Sequence, residues 1–157
     1  MTTMMSELEL CHNNIEMMIF SILDEKVNQE EVESIVFGPK FDSIELGDNT
    51  FFRVIYEDSL VKSVGKTYKV CQPIRITSNV DNSDIEYAKQ ESIRLNSWVA
   101  ERIFKDKELN NVGIVNDVAL TNILTAYPLE KSKSTLLSSG IRIVVDYDLD
   151  FQCGSLS

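Results

Sequence analysis

The sequence predicts an α+β fold, a two-layer sandwich in which two helices cover one face of a mainly antiparallel sheet of about four strands. Two segments carry apolar residues at alternating spacings of three and four, which is typical of helices with one buried face. Further along, two long segments alternate apolar and polar residues around one connection, and this pattern predicts a long C-terminal β-hairpin. Because the hairpin must bury its apolar face, we expect the helices to pack on it.

The length and charge of the chain limit its organisation and its partners. The 157 residues predict a single domain, residues 1–157, because this length supports a hydrophobic core without disulfides or metals. There are 25 acidic and 15 basic residues, which gives a net charge of −10. Proteins that bind nucleic acid need clustered lysine and arginine, so this balance argues against a DNA-binding surface. It is compatible with DNA that passes nearby without adhering.

Cysteine usage and hydropathy indicate the compartment. Cys11, Cys71 and Cys153 are odd in number and lack the spacing of a metal site, so we interpret them as reduced thiols or small core residues. No apolar run is long enough for a membrane helix, and no basic leader precedes an apolar core at the N-terminus. We therefore expect a soluble protein with no membrane partner.

Residues 6–27 form the first predicted helix, with Ser6 as its N-cap. Between Glu7 and Glu33, eight acids are accompanied by one base, Lys26, so the outer side of this region carries a negative field. Surface helices are normally charged, and we interpret these acids as a solvated face. The face predicted to be buried holds Leu8, Cys11, Ile15, Met18, Ile19 and Ile22.

The middle of the chain is predicted to contain two or three strands. Aromatic and β-branched residues indicate strands at residues 34–37, 51–57 and 68–77. Residues 58–66 are predicted to form a polar loop between the last two. Pro73 cannot donate a hydrogen bond to a neighbouring strand, so we expect its strand to lie at a sheet edge or to be bulged there.

The second predicted helix begins after Asp84, whose side chain can accept hydrogen bonds from the free amides of the first turn. Trp98 widens the apolar stripe of this helix, and we interpret it as core packing rather than as a site for ligand stacking. The stripe itself holds Ile85, Ala88, Ser92, Leu95, Val99 and Ile103.

The two alternating strands follow this helix, and a polar, serine-rich stretch at residues 127–139 is predicted to be the loop between them. On the first strand, one side holds Val112, Ile114, Val118, Leu120 and Leu124. On the second strand, one face holds Ile141, Ile143, Val145, Tyr147, Leu149 and Phe151.

Candidate catalytic and metal-binding residues are few. Asp146, Asp148 and Asp150 fall on one face of the last strand, but strand spacing holds them about 6–7 Å apart, too far to share one ion without further ligands. We interpret them as a charged row that prevents wrong strand pairing. Cys11 and His12 are adjacent on a helix and point about 100° apart, so they do not form a nucleophilic pair. We expect no catalytic residue, no metal and no cofactor.

Three apolar side chains lie within the predicted polar loop: Leu129, Leu136 and Leu137. Exposed apolar residues on a long loop are typical of a partner surface, whereas a loop that folds back onto the sheet would bury them. We favour the partner surface.

The chain from the second helix onwards resembles a known family in the order and pattern of its elements. The similarity runs through the helix at residues 85–103, the turn at 106–112, the long strand and the closing Ile-Arg-Ile-Val-Val-Asp-Tyr of residues 141–147. These features resemble tail terminator proteins of tailed bacteriophages and related tail-completion or neck proteins. In that family, a helix ending in a Lys-Asp-x-x-Leu type of turn precedes a long strand, a loop and an Ile-x-Ile-x-Val-x-Tyr type of strand. The first helix and middle strands fit the same plan.

The resemblance implies a structural, non-enzymatic protein that forms a homo-oligomeric ring, expected to be a hexamer. Such a ring caps the tail-tube protein, ends tube growth and presents a surface to the neck or connector; it is assembled in the host cytoplasm and stays in the virion at the tail–neck junction. DNA would cross it only as a passing strand, and acids lining the channel would repel phosphate. The loops at residues 58–66 and 127–139 are the expected contacts with neighbouring subunits and the tube. Their candidate contact residues are Leu60, Val61, Tyr127, Leu129, Leu136 and Leu137.

Two alternatives remain open. A head-completion or adaptor ring of the same neck would bind portal or connector protein instead of tube protein. A small-ligand-binding protein or dimeric enzyme of the host would need a concave pocket with converging polar groups, and the sequence offers no cluster that would build one.

Overall fold

The structure, a computed structural model, describes residues 5–38, 50–131 and 134–149, with side chains for 8–38, 50–125 and 136–149. The α+β class is confirmed, with two helices and a mixed, largely antiparallel sheet of six strands instead of about four. The elements in chain order are α1 (Met5–Asn28), β1 (Ser34–Phe37), β2 (Thr50–Tyr56), β3 (Leu60–Val64), β4 (Thr67–Asp81), α2 (Ile85–Ala100), a π-helical turn (Glu101–Lys105), a 3-10 turn (Leu109–Asn111), β5 (Val115–Lys131) and β6 (Ser134–Leu149).

The sheet is ordered β1-β2-β4-β6-β5, and β3 pairs with β4 outside this path. Only β1 and β2 are parallel; the other described pairs are antiparallel. β2 and β3 follow one another along the same edge of β4, since Tyr56 lies opposite Ile74 and Leu60 lies opposite Cys71. The long strand β4 therefore pairs with two short strands on one side and with β6 on the other.

Pro73 lies in this central strand, so the expectation of an edge strand is wrong. Its position explains why it is tolerated: Pro73 falls where β2 has ended and β3 has not begun, and no ladder partner there needs its missing N–H. Its carbonyl still accepts hydrogen bonds from the Glu57 backbone N at 3.0 Å and from the Gln72 side chain at 2.9 Å.

The predicted loop at residues 58–66 is also a strand for most of its length. β3 pairs with β4 through a two-residue turn at Gly65 and Lys66, and Gly65 has the positive φ of 63° that such tight turns require. Lys62 and Ser63 are consecutive polar residues between apolar ones, so this strand lacks the alternation that would have predicted it.

The predicted loop at residues 127–139 is occupied by the two ends of a longer hairpin. β5 continues to Lys131 and β6 starts at Ser134, and residues 132–133 lie outside the described part. β5 shows three irregularities of register along this course. The serine-rich composition misled the prediction, because Ser138 and Ser139 are buried in β6 opposite Asn79 and Ser78 of β4.

One cluster of buried apolar residues joins both helices to the same face of the sheet. The predicted faces are largely confirmed, although Leu8 and Ile85 are exposed and Ser6 lies inside α1 instead of capping it. Asp84 caps α2 as predicted and accepts a hydrogen bond from the Tyr87 backbone N at 3.2 Å. The buried members of the predicted helix stripes are Cys11, Ile15, Ile19, Ile22, Ala88, Ser92, Leu95, Val99 and Ile103. From the closing strand, Ile141, Ile143, Val145, Tyr147 and Leu149 are buried in the same cluster.

Candidate functional site

The hairpin formed by β3 and the start of β4, residues 60–69, exposes apolar side chains. All five residues of β3 are exposed, including Leu60 at 73%, Val61 at 60% and Val64 at 43%. These side chains contribute little to burial within the chain, and exposed apolar groups of this kind are typical of contact with another protein. Leu60 and Val61, two of the six predicted contact residues, thus lie where a partner can reach them. Their contact role stays a prediction.

The same segment is locally basic, and we call residues 60–69 the basic hairpin. Residues 59–73 contain Lys62, Lys66 and Lys69 and no acid, in a chain whose net charge is −10. Lys62 and Lys69 lie directly opposite each other across the strand pair. Like charges in this position destabilise a hairpin. Within the described residues, neither lysine forms an ion pair, although Asp148 lies opposite Lys69 in β6.

The other four predicted contact residues belong to the end of the β5–β6 hairpin. Tyr127 and Leu129 belong to β5 and pair with β6. Their side chains lie outside the described part. Leu136 and Leu137 are only 1% and 3% exposed. The prediction that these two leucines are exposed on a loop is wrong, because β6 runs through this segment and pairs with β4, which buries them within the chain.

A groove of about 530 Å³ lies between α1 and the end of β1, and we call it the α1 groove. Phe20 and Phe37 stack at this groove with their ring centroids 6.5 Å apart, and Met17 beside them is 68% exposed. Glu16 and Asp24 also line the groove, so two carboxylates lie beside its apolar side chains. Sequence reasoning missed this site, but apolar residues outside the buried stripe of an amphipathic helix are the signal that could have found it.

On the sheet face away from the helices, Glu57 joins three strands. Arg75 and Arg142 lie opposite each other in β4 and β6, and Glu57, just after β2, accepts from Arg75 Nε at 2.9 Å and from Arg142 Nε at 3.2 Å. These hydrogen bonds, from Arg142 above all, hold the pKa of Glu57 below its ordinary value of 4.5. Arg142 also donates to the Thr121 hydroxyl of β5 at 3.0 Å. The cluster links neighbouring strands of the sheet, and it contains no free base or nucleophile.

The carboxylate row at the end of β6 is only partly described. Asp146 is half-buried and accepts a hydrogen bond from the Cys71 thiol, which raises the pKa of that thiol and disfavours the reactive thiolate. Asp148 is exposed, and Asp150 lies outside the described residues. Among the residues with known positions, no three His, Cys, Asp or Glu side chains converge on a metal position.

His12 and Cys11 serve packing in this structure. The His12 ring lies 4.7 Å from the Tyr56 ring, measured between centroids, and its Nε2 is 3.9 Å from a Glu16 oxygen. Burial raises the pKa of Tyr56 and keeps this phenol protonated. Cys11 is buried in the core. The four side chains therefore belong to the contact between α1 and the sheet.

Trp98 packs against the core and lies between two cations where α1 meets α2, as its interpretation as a packing residue predicts. Lys26 Nζ is 4.9 Å and Arg102 Cζ is 5.2 Å from the ring centroid, which allows cation–π attraction from both. Arg102 also pairs with Glu25 of α1 and with Glu108. This arrangement holds the two helices side by side and leaves the Trp98 faces occupied.

Comparison with known proteins does not assign a function. No protein-family model matches the chain, and no curated protein is significantly similar to it. The described helices include none that is long and apolar enough to cross a membrane. Any functional conclusion therefore rests on the surfaces described above and on the pattern of the sequence.

Proposed function

We propose that this chain is a structural protein of a bacteriophage virion, which forms a ring at the tail–neck junction, ends growth of the tail tube and joins the tail to the head. The observation that carries the proposal is the basic hairpin, whose residues Leu60, Val61 and Val64 present apolar side chains to solvent. A ring subunit must offer such surfaces to its neighbours.

The architecture supports the proposal through the order of its elements. α1 is followed by four strands, then by α2, a turn and the long β5–β6 hairpin. This order is the one that the resemblance to tail terminators implies for the whole chain. Because one fold can carry unrelated functions, the order of elements supports the proposal but does not carry it.

The chemistry of the polar clusters also favours a structural role. Glu57 is engaged by Arg75 and Arg142, and the Cys71 thiol is held protonated by Asp146. An enzyme brings a nucleophile, a base and an orienting group together around a substrate. Among the described residues, these ionisable groups instead bind one another.

The acidity of the chain suits a ring through which DNA passes. In the proposed ring, carboxylates lining the channel repel phosphate and keep DNA from adhering. A ring whose channel is lined mainly by lysine and arginine would contradict this part of the proposal.

The test is an assembly experiment with the tail-tube protein of the same phage. We expect light scattering to give the mass of several subunits, alone or once tube protein is added, and electron microscopy to show tubes that stop growing and end in a ring. Co-purification with portal or connector protein instead of tube protein would support a head-completion ring. A chain that stays monomeric and leaves tube length unchanged would contradict the proposal.

A further inference from the structure

We infer that neighbouring copies of the chain associate head to tail, with the basic hairpin of one copy seated in the α1 groove of the next. The inference rests on the proposed ring and identifies the contact that builds it. It depends on the charge, the apolar character and the dimensions of two surfaces that the fold places apart.

The charges of the two surfaces are complementary. The hairpin carries Lys62 and Lys69 directly opposite each other, without an ion pair among the described residues. The comparable pair Arg75 and Arg142 is neutralised by Glu57 within the chain. Asp148 of β6 lies opposite Lys69 within the chain, and an acidic partner would act in the same way on Lys62 at the outer strand, since opposite charges placed beside like charges stabilise both.

The α1 groove provides that acidic partner. Glu16 and Asp24 line it and are only partly buried; Glu16 lies 3.9 Å from His12, and Asp24 accepts a hydrogen bond from the Asn28 side chain at 3.4 Å, so neither is paired with a described lysine or arginine. They stand eight residues apart on α1, or about 12 Å along the helix axis. Lys62 and Lys69 are only about 5 Å apart across the strand pair, so one carboxylate can meet this pair while the other meets Lys66 in the turn.

The apolar parts also correspond. Leu60, Lys62 and Val64 share one face of β3, because alternate residues of a strand point the same way. Leu60 and Val64 are about 13 Å apart on this face. Both surfaces thus alternate apolar and charged groups, and their union would cover Met17 and Phe20 together with the exposed leucine and valine.

The hairpin cannot fill the groove of its own chain. β3 is paired with β4 from Leu60 opposite Cys71 to Val64 opposite Thr67, so it is held in the plane of the sheet. Reaching α1 would break this pairing. A contact between hairpin and groove is therefore one between two copies, and because the two surfaces differ, it is heterologous and generates a ring when its rotation closes.

The test uses charge reversal on each surface of the full chain. One variant carries Lys62→Glu and Lys69→Glu, and the other carries Glu16→Lys and Asp24→Lys. We expect each variant alone to fall to the mass of a single chain in light scattering, because hairpin and groove then carry like charges. We expect an equimolar mixture to regain the wild-type mass, because every hairpin again meets a groove of opposite charge.

The control is Lys89→Glu with Lys105→Glu, which repeats the two Lys→Glu changes of the hairpin variant at exposed positions of the α2 region. This variant should assemble like the wild type, and circular dichroism should show all three variants folded. A mixture that stays monomeric, or either variant assembling alone, overturns the inference.

The same experiment separates this inference from the proposed function. If the wild type and both charge variants all form rings, the proposed ring is supported and the proposed contact is overturned. A wild-type chain that stays monomeric with and without tube protein overturns the ring and the contact together.

Discussion

Gly140 allows β4 and β6 to pair closely at the centre of the sheet. A Cβ added at this position would lie 2.5 Å from the Ile76 carbonyl oxygen and 2.9 Å from the Thr77 Cγ2 atom. The first of these atoms belongs to the backbone of the paired strand, which cannot move without disturbing the ladder. The absence of a side chain is therefore a packing requirement at this residue.

Changing Gly140 to Ala should lower the free energy of unfolding by about 1–3 kcal/mol, because the added methyl overpacks a strand pair that is already in contact. Urea unfolding followed by the fluorescence of Trp98, the single tryptophan, measures the change. Gly113→Ala is the matched control, since a Cβ there meets no atom within 4 Å. Equal stability of the two variants would show that β4 and β6 can separate without cost.

A second group at the residue scale is the buried serine set between α2 and the sheet. The Ser92 hydroxyl donates to the Ser78 carbonyl at 2.7 Å and lies 2.6 Å from the Ser139 hydroxyl. Small side chains bring the helix close to the strands, and the hydrogen bonds compensate for burying polar groups there. Ser92 is therefore a polar member of the predicted apolar stripe of α2, and the sheet supplies the hydrogen-bond partners of its hydroxyl.

At the scale of elements, the Glu57 cluster is what couples β2 to β4, β6 and β5 on the side without helices. Glu57 follows β2, Arg75 belongs to β4, and Arg142 of β6 extends the cluster to Thr121 of β5. On this face, ionic contacts therefore help to hold the strands together, whereas apolar burial does so on the other face.

Stability should depend on acid through Glu57. Its pKa is lowered in the folded chain, so the unfolded chain takes up the proton first, and the stabilisation is present above pH 4.5 and lost as the pH falls through the lowered pKa. Glu57→Gln should cost about 1 kcal/mol near neutral pH, with the difference from wild type shrinking in acid.

Chemical unfolding at a series of pH values measures this difference. The control is Asp58→Asn at the exposed neighbouring position, whose effect should not follow the same course. A Glu57 variant whose deficit stays constant from neutral to acidic pH would show that the cluster acts through packing alone.

At the scale of the whole molecule, buried and exposed leucines have separate roles. Leu137 belongs to the core that both helices share with the sheet, and Leu60 lies on the basic hairpin. The earlier prediction treated both as contact residues on loops. Burial assigns one to folding and leaves the other for assembly.

Leu137→Ala should lower the free energy of unfolding by about 2–5 kcal/mol, because it opens a cavity in the core. Leu60→Ala should change it by less than about 0.5 kcal/mol, because the side chain is exposed, yet it should weaken assembly. Urea unfolding and light scattering on the same samples measure both effects. An unstable Leu60 variant, or a Leu137 variant that unfolds like the wild type, would reverse the assignment.

The sequence by itself determined the two helices, the cap at Asp84, the apolar face of the closing strand and the α+β class. These features depend on the local periods of 3.6 and 2, which a single segment displays without knowledge of its neighbours. The sequence also identified Leu60 and Val61 as residues to consider, although it placed them on a loop.

Only the tertiary structure decided which polar segments are strands and which apolar residues are left exposed. Residues 60–64 and 136–139 form strands because β4 offers backbone partners to both. The same pairing buries Leu136 and Leu137, while the packing of α1 on the sheet leaves Met17 and Phe20 outside. The physical reason is that burial depends on what lies opposite a side chain in space, which no local pattern contains.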